Sequence, residues 1–427
     1  MNKGRRSSKQ EPGGELQCRA IHPHRIHPPE KDQQTVSEGA SILIVAGEDS
    51  GDQHAAGLIE RLKQICSGHR LELFGSGGKR MTEQGVDILA DVSQLAAIGP
   101  RAALANAGGY WKLYRKIVQR VRRQRPALAI LVDFPEFNLM LARRLKDMDV
   151  PICYFISPQI WAWRSSRVEK VRRFVDLMLV ILPFEEEFYR RHGVPSHYVG
   201  NPSLQEIRPL PVQDQAGQGP SRPDNVPRVA LMPGSRRKEI EQIFPLQLQA
   251  ARYISQRLPV RFKAVVAKSL DPQRLERLYR DCQGEGGNPL DLEFAQQPVQ
   301  AALQDVDFAI VKSGTSTLET MLLGVPFAMV YRMSSLSWLL ARPLVRIDTY
   351  CLANIVAGER VVEEFVQGAA TGERIGEHVL RLLQDGQARQ QMRRKLGEAA
   401  QKLGSQDAYL QAARRVADWL SLRKEAA

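Results

Sequence analysis

Short apolar runs alternate with longer amphipathic stretches along most of the chain. Ser41-Ile42-Leu43-Ile44-Val45-Ala46, Ala127 to Val132, Ile152 to Ile156 and Leu177 to Leu182 are apolar runs, and Leu71 to Phe74 is interrupted only by Glu72. Each is bounded by polar, turn-forming residues, which is the signature of a strand buried on both faces. The stretch between the first two runs carries Ala55, Leu58, Ile59 and Leu62 at helical spacing. The alternation then restarts. Val229 to Met232, Val260 to Ala267, Leu292 to Phe294, Asp307 to Val311 and Phe327 to Tyr331 read as strands. Helices are predicted over Ile240 to Leu258, Leu275 to Tyr279 and Leu318 to Leu323, the last stopped by Gly324-Val325-Pro326. From about Glu373 the chain reads as helical to its end and strongly basic, with Arg393, Arg394, Lys395 and Trp419 as landmarks. Continuous apolar strands alternating with helices predict parallel sheets covered on both faces, an α/β fold.

The polar breaks after the strands are where chemistry is expected, because ligands of open α/β sheets sit outside the carboxyl ends of the strands. Gly47-Glu48-Asp49-Ser50-Gly51-Asp52, Asp133-Phe134-Pro135-Glu136-Phe137-Asn138 and Ser157 to Trp163 are therefore expected to meet in one cleft. Pro135 fixes the turn after Asp133 and keeps Phe134 out of helix. Asp133 fits either a cap or a functional carboxylate. Neither Gly47–Asp52 nor Gly75-Ser76-Gly77-Gly78 has GxGxxG spacing, which disfavours a dinucleotide-binding dehydrogenase. In the second half, Val311-Lys312-Ser313-Gly314-Thr315-Ser316-Thr317-Leu318-Glu319 joins a buried strand to a helix. A helix opening on Gly, Ser and Thr presents free backbone N–H groups, hydroxyls and a positive dipole end to a phosphate. An ordinary N-cap needs only one of those residues, so both readings stand.

A chain of 427 residues is too long for one core, so two domains of about 150–200 residues are expected. The connection is a proline-rich linker over 201–228, holding Pro202, Pro209, Pro211, Pro220, Pro223 and Pro227. The expected division is a basic disordered tail over 1–40, a first Rossmann-like domain over 41–200, that linker, a second over 229–370, and helices over 371–427. His22, His24 and His27 cluster in the tail, but no periodicity is there to fix a metal geometry. The tail has no apolar stretch of the kind a secretory signal needs.

The 43% hydrophobic and 25% charged content is that of a globular protein. The five cysteines, Cys18, Cys66, Cys153, Cys282 and Cys351, are scattered without CxxC, which points to a reducing compartment and away from structural zinc. No metal and no cofactor are expected. The net charge of +13 calls for an anionic partner. Between Gln94 and Arg125, apolar Tyr110, Leu113, Tyr114, Ile117, Val118 and Val121 recur at helical spacing, while Lys112, Arg115, Lys116, Arg120, Arg122, Arg123 and Arg125 fill the remaining faces. Such a helix packs its stripe on a sheet, lies on an anionic membrane, or does both. No apolar run reaches the roughly 18 residues that span a bilayer, so a soluble or peripheral protein is expected. No recognised motif or aromatic–basic platform supports nucleic-acid binding.

Two α/β domains, a proline-rich hinge and a phosphate-suited helix start suggest a nucleotide-sugar transferase of the two-Rossmann-domain (GT-B) type. From about Ser41 to Leu420 the sequence resembles the lipid-A-disaccharide synthases. The matching segments are Ala46 to Asp52, Asp133 to Asn138, Ser157-Pro158-Gln159-Ile160-Trp161-Ala162-Trp163-Arg164, Leu182-Pro183-Phe184-Glu185, Met232 to Arg236, Ser313 to Glu319, and Asn354 with Ala357-Gly358. The Trp161-Ala162-Trp163 block is the most distinctive. Asn201 stands where the family often has His, Ala353 replaces a usual Pro, and residues 1–40 have no counterpart in a typical member.

The resemblance implies an inverting transfer of 2,3-diacylglucosamine from its UDP conjugate to the 6-hydroxyl of 2,3-diacylglucosamine 1-phosphate (lipid X), at an anionic inner-membrane surface facing the cytoplasm. Asp133 would be the general base. Arg236 and the helix start at Gly314–Thr317 would hold the UDP diphosphate, and Glu319 the ribose. Ser313, Thr315, Ser316, Thr317, Asn354, Asn201, Glu48, Ser50, Gly51 and Asp52 complete the expected substrate-binding set. An oligomer stays open. Two rivals remain at this level: a UDP-sugar 2-epimerase of the same architecture, and a non-catalytic basic protein that binds membrane or nucleic acid.

Overall fold

The computed structural model describes residues 40–91, 107–161, 167–207, 225–267, 270–283, 289–334, 338–339 and 348–420. The expected basic tail with its histidines, Trp163 and Arg164, and linker prolines Pro209, Pro211, Pro220 and Pro223 lie outside the described residues.

Among the described residues, two parallel sheets form. The first has seven strands, β1 (Ala40–Val45), β2 (Leu71–Gly77), β3 (Asp87–Asp91), β4 (Leu128–Val132), β5 (Ile152–Phe155), β6 (Leu177–Val180) and β7 (Ser196–Tyr198), in the order 3-2-1-4-5-6-7. The second has six, β8 (Arg228–Met232), β9 (Arg261–Val265), β10 (Leu292–Ala295), β11 (Phe308–Lys312), β12 (Phe327–Tyr331) and β13 (Glu364–Val366), in the order 10-9-8-11-12-13. This is the doubly wound α/β architecture the alternation predicts. β3, β7 and β13, which the apolar pattern does not announce, lie at sheet edges where only part of a strand is buried.

Alternation within each strand divides the first core in two. Ile42 and Ile44 face the helix Asp49–Ile65, whereas Leu43 and Val45 face Leu113, Ile117 and Val121 of the helix Ala107–Gln124. The inward side chains of Asp49–Ile65 include Ala55, Leu58, Ile59 and Leu62, a helical repeat, and burying each Leu or Ile is worth roughly 1.5–3 kcal/mol.

The C-terminal run is helical, as expected. It is three helices, Gly372–Gln384, Gly386–Gln401 and Ala408–Trp419, and Thr371, Asp385 and Asp407 cap them by accepting from backbone N–H groups of Arg374, Ala388 and Leu410. The last helix leaves the second sheet and returns to the first. Ala412, Ala413, Val416 and Ala417 join the core that contains Ile42 and Ile44. Tyr198 donates from its hydroxyl to the Leu403 carbonyl at 2.7 Å, and Arg61 pairs with Asp407 at 3.1 Å, fastening the crossing.

Candidate active site

In both sheets the strand order reverses next to the first strand, between β1 and β4 and between β8 and β11. Helices leave such a point in opposite directions and open a crevice at the carboxyl ends of those strands. The residues following these four strands are Gly47-Glu48, Asp133-Phe134, Pro233 to Arg236 and Ser313-Gly314. Glu48, Asp133, Ser313 and Gly314 thus fall at two switch points, and Arg236 joins them: its guanidinium lies 3.5 Å from Glu48 Oε2.

Asp133 and Phe134 both have left-handed backbones, φ 46° and φ 48°. For residues other than glycine this costs about 1–3 kcal/mol each and persists only where the surroundings impose it. They do so here. The Asp133 amide donates to the Phe155 carbonyl at 3.0 Å, while its own carbonyl accepts from Tyr154 Oη at 2.6 Å and Asn138 Nδ2 at 2.7 Å. Pro135 begins the helix Pro135–Lys146 and Phe134 stays outside it as its left-handed N-cap, so the turn is only Asp133 and Phe134. The Phe134 ring lies where a side chain on residue 47 would go, 2.1 Å from a Cβ built on Gly47, and stacks on Phe137 at 5.6 Å beside Tyr110 at 5.8 Å. This close approach is why a glycine follows β1.

Burial, then the charge of Glu48, pushes the Asp133 carboxyl up to about 6, against the pull of the Phe134 backbone N–H and Arg236. A carboxylate in that range accepts a proton readily near neutral pH, as a general base must.

A chain of charges runs on from Arg236. Glu239 lies 3.7 Å from it and accepts from Lys312 Nζ at 2.9 Å, next to the helix Thr315–Leu322. Gly314 has φ 145° and ψ −162°, a conformation open essentially to glycine alone. It turns the backbone from the strand into the helix, so the helix start faces the crevice. Thr315 is exposed there and Ser316 half-buried. Burial, then the charge of Glu206, raises the Glu319 carboxyl, which a Ser316 hydrogen bond counters. Lys312 and Glu239 were not among the residues expected from sequence. A lysine closing a strand as apolar as Phe308–Val311 was the available signal.

Several expected ligand-binding residues use their polar atoms inside the protein. Asp52 is buried and accepts from the N–H groups of Gly78 (2.6 Å), Arg80 (3.1 Å) and Met81 (3.2 Å), tying two loops together. Asn201 donates to the Ile181 carbonyl at 3.1 Å and accepts from Ser203 N–H at 3.0 Å. Asn354 donates to the Val362 carbonyl and Glu364, and accepts from Val361 and Val362 N–H, all within 2.9 Å. Beside it Ala353 is fully buried in the helix Leu352–Ala357. Ser313 donates to the Tyr350 carbonyl and Thr317 to the Gly314 carbonyl, at 2.8 and 2.7 Å. Gly51 is buried under β1, and Ser50 is exposed with Glu48 at the crevice edge.

The motif Ser157 to Trp161 is held from below. Glu185, which is 1% exposed, accepts from Ser157 Oγ at 2.7 Å and Trp161 Nε1 at 2.9 Å on one oxygen, and from Leu182 N–H at 3.1 Å on the other. Burial lifts its carboxyl to about 7, with these donors pulling it down.

The model of the lipid-A-disaccharide synthetase family matches residues 42–416. This chain belongs to the lipid-A-disaccharide synthase family. A lipid-A-disaccharide synthase of Geobacter sulfurreducens is 39% identical over 369 residues, 85% of this chain and 93% of that protein. One of Myxococcus xanthus is 37% identical over 383 residues, 89% and 97% of the two chains. As a member of the lipid-A-disaccharide synthase family the protein is a glycosyltransferase. Solved structures agree in fold: the calicheamicin glycosyltransferase CalG4 (TM-score 0.55, 17% identity, 91% of this chain and 100% of that one) and UDP-GlcNAc 2-epimerase from Neisseria meningitidis bound to UDP-GlcNAc (TM-score 0.56, 12% identity, 89% and 99%). At such identities the epimerase shares the architecture only, and the synthase family sets the activity.

Proposed function

We propose that the protein transfers 2,3-diacylglucosamine from UDP to the 6-hydroxyl of 2,3-diacylglucosamine 1-phosphate, inverting the anomeric carbon to give a β(1→6) disaccharide and UDP. The observation that carries the assignment of roles is the convergence of Asp133, Glu48 and Arg236 from two switch points. Asp133 takes the proton of the 6-hydroxyl as its oxygen bonds to the anomeric carbon, and UDP leaves with the electrons of the broken bond. A positioned base contributes typically about 10²–10⁴-fold in rate. Arg236 and the N–H groups of Gly314 to Ser316 meet the charge gathering on the diphosphate. Arg236 is 69% exposed in its pair with Glu48, so turning toward a phosphate disturbs little. Ser50 and Glu319 line the approach for sugar and ribose hydroxyls. Asp52, Asn201 and Asn354 hold the loops in shape.

Both substrates are lipids, and the helix Ala107–Gln124 suits a cytoplasmic protein attached peripherally to the inner membrane. Its apolar stripe packs on the first sheet, while Trp111 is 55% exposed and stacks on Tyr114 at 5.1 Å among exposed Lys112, Arg115, Arg122 and Arg123. An indole at the interface and basic groups on anionic headgroups together give reversible attachment. No helix among the described residues is long and apolar enough to cross a membrane.

Purified protein incubated with both lipids should release UDP and form the disaccharide in equal amounts, followed by mass spectrometry. Isomerised UDP-sugar in the absence of acceptor would point to the epimerase reaction, and salt-sensitive lipid binding without turnover to a non-catalytic role.

A further inference from the structure

The loop after β5 is constrained beyond what a connection needs. Ile156 has φ 64°, a left-handed backbone that a β-branched side chain rarely adopts. Ser157 and Trp161 both donate to the fully buried Glu185, and Tyr189 Oη donates to the Pro158 carbonyl at 3.0 Å. A carboxylate buried this deeply is costly unless its bonds hold something in place.

Two structures depend on this loop. The end of β5, which the loop continues, carries the Asp133 turn, through the Asp133 amide on the Phe155 carbonyl and the Tyr154 hydroxyl on the Asp133 carbonyl. The loop's far end carries the seam between the sheets: Trp161 meets Phe184 edge-on at 4.9 Å, and both pack with Leu182, Leu204 and Ile207 against the core of the second sheet. Leu182-Pro183-Phe184-Glu185 thus supplies two seam residues and the clamp in one short segment.

We propose that Glu185 is a positioning residue for the transfer step, acting through Ser157 and Trp161 to fix the Asp133 turn and the interdomain seam in one geometry. This rests on the reading of Asp133 as the base. A displacement near 1 Å is enough to lower turnover about 10²-fold, so a clamp over both partners of the reaction bears directly on rate. UDP binding, by groups of the second sheet, does not pass through the clamp.

The test compares Glu185→Gln, Trp161→Phe and the double variant with the wild-type protein, measuring kcat, UDP affinity and melting temperature. In Glu185→Gln an amide N–H faces the Leu182 N–H, and in Trp161→Phe a ring remains without its donor. The expected result is a fall in kcat of about tenfold for Glu185→Gln and a smaller one for Trp161→Phe, with UDP affinity within about twofold. The double variant should be no slower than Glu185→Gln, because the two residues act through one contact. Reductions that multiply, or a lower melting temperature with kcat unchanged, would overturn the proposal. Should Glu185→Gln fail to fold, Ser157→Ala and Trp161→Phe decide: lost turnover with UDP affinity kept supports it, and unchanged turnover overturns it. Asp133→Asn run alongside reports on the base alone. If Asp133→Asn keeps turnover while Glu185→Gln loses it, the base assignment fails and the clamp stands.

Discussion

Arg236 of the second sheet and Glu48 of the first face each other at 3.5 Å, and both act electrostatically on Asp133 in opposite directions. Glu48 raises its carboxyl and Arg236 lowers it. A donor diphosphate that engages Arg236 therefore removes the lowering charge, and Asp133 becomes the stronger base as the donor arrives.

Asp133→Asn keeps the shape of the turn and loses the proposed base. Turnover should fall by about 10²–10⁴-fold with UDP affinity nearly unchanged. More than about a tenth of wild-type turnover, with chemistry shown to be rate-limiting, would move the base elsewhere.

The pH profile should carry the same signature. A general base at Asp133 works deprotonated, so on the proposed role kcat/KM should rise with pH through about 6 and level off above it. Glu48→Gln removes a raising charge and should move this limb to lower pH, and Arg236→Ala should move it to higher pH. An acid limb that stays put in both variants would exclude Asp133 as its source. The stability linkage has the opposite sense. A carboxyl raised above its unfolded value adds stability that is full below the ordinary carboxylate range and lost as pH rises through about 6.

Arg236→Ala should also weaken UDP itself. A charge-assisted hydrogen bond is worth roughly 1.5–3 kcal/mol, or about 10- to 100-fold in affinity, measurable by calorimetry. Unchanged affinity would leave the diphosphate to the helix start alone.

Gly47→Ala places a methyl group in the Phe134 ring. Overpacking of this kind costs typically 1–3 kcal/mol, and here the ring must leave the Asp133 turn. The melting temperature should drop and turnover with it. A fully active, equally stable Gly47→Ala protein would show that the ring moves freely.

On vesicles containing anionic lipid, binding should weaken as salt rises from physiological strength to about 1 M, where the screening length falls from about 8 Å to 3 Å. Arg122→Glu with Arg123→Glu should reduce it further. Arg120 is a poorer probe, since it pairs with Asp87 and Gln124 and lies over Phe74, within the fold. Retention that ignores both salt and charge reversal would leave Trp111 insertion as the only attachment.

Strands such as Leu128–Val132 were legible because two-sided burial demands an unbroken apolar run, and Asp133 and Gly314 because they follow such runs. The internal bonds of Asp52, Asn201 and Asn354 were not legible, for a physical reason. A polar side chain serving backbone N–H and C=O groups is the same residue type as one serving a ligand, and only coordinates tell them apart. Glu185 was hidden differently: a glutamate three residues into a helix reads as a capping partner, which it also is, through Leu182 N–H. The return of the last helix left no trace, because its buried face is mostly alanine and no pattern names a distant partner.

That return sets an order on the making of the protein. The first sheet's residues emerge early, yet the core containing Ile42 and Ile44 is completed only by Ala412, Ala413 and Val416, more than 350 residues later. At about 5–20 residues per second, the roughly 200 residues between β7 and that helix take on the order of ten seconds or more to synthesise. For that interval the core under Ile42 and Ile44, roofed by the helix Asp49–Ile65, lacks the alanine-rich helix that completes it. A ribosome stalled before residue 408 therefore leaves a first half whose core is incomplete.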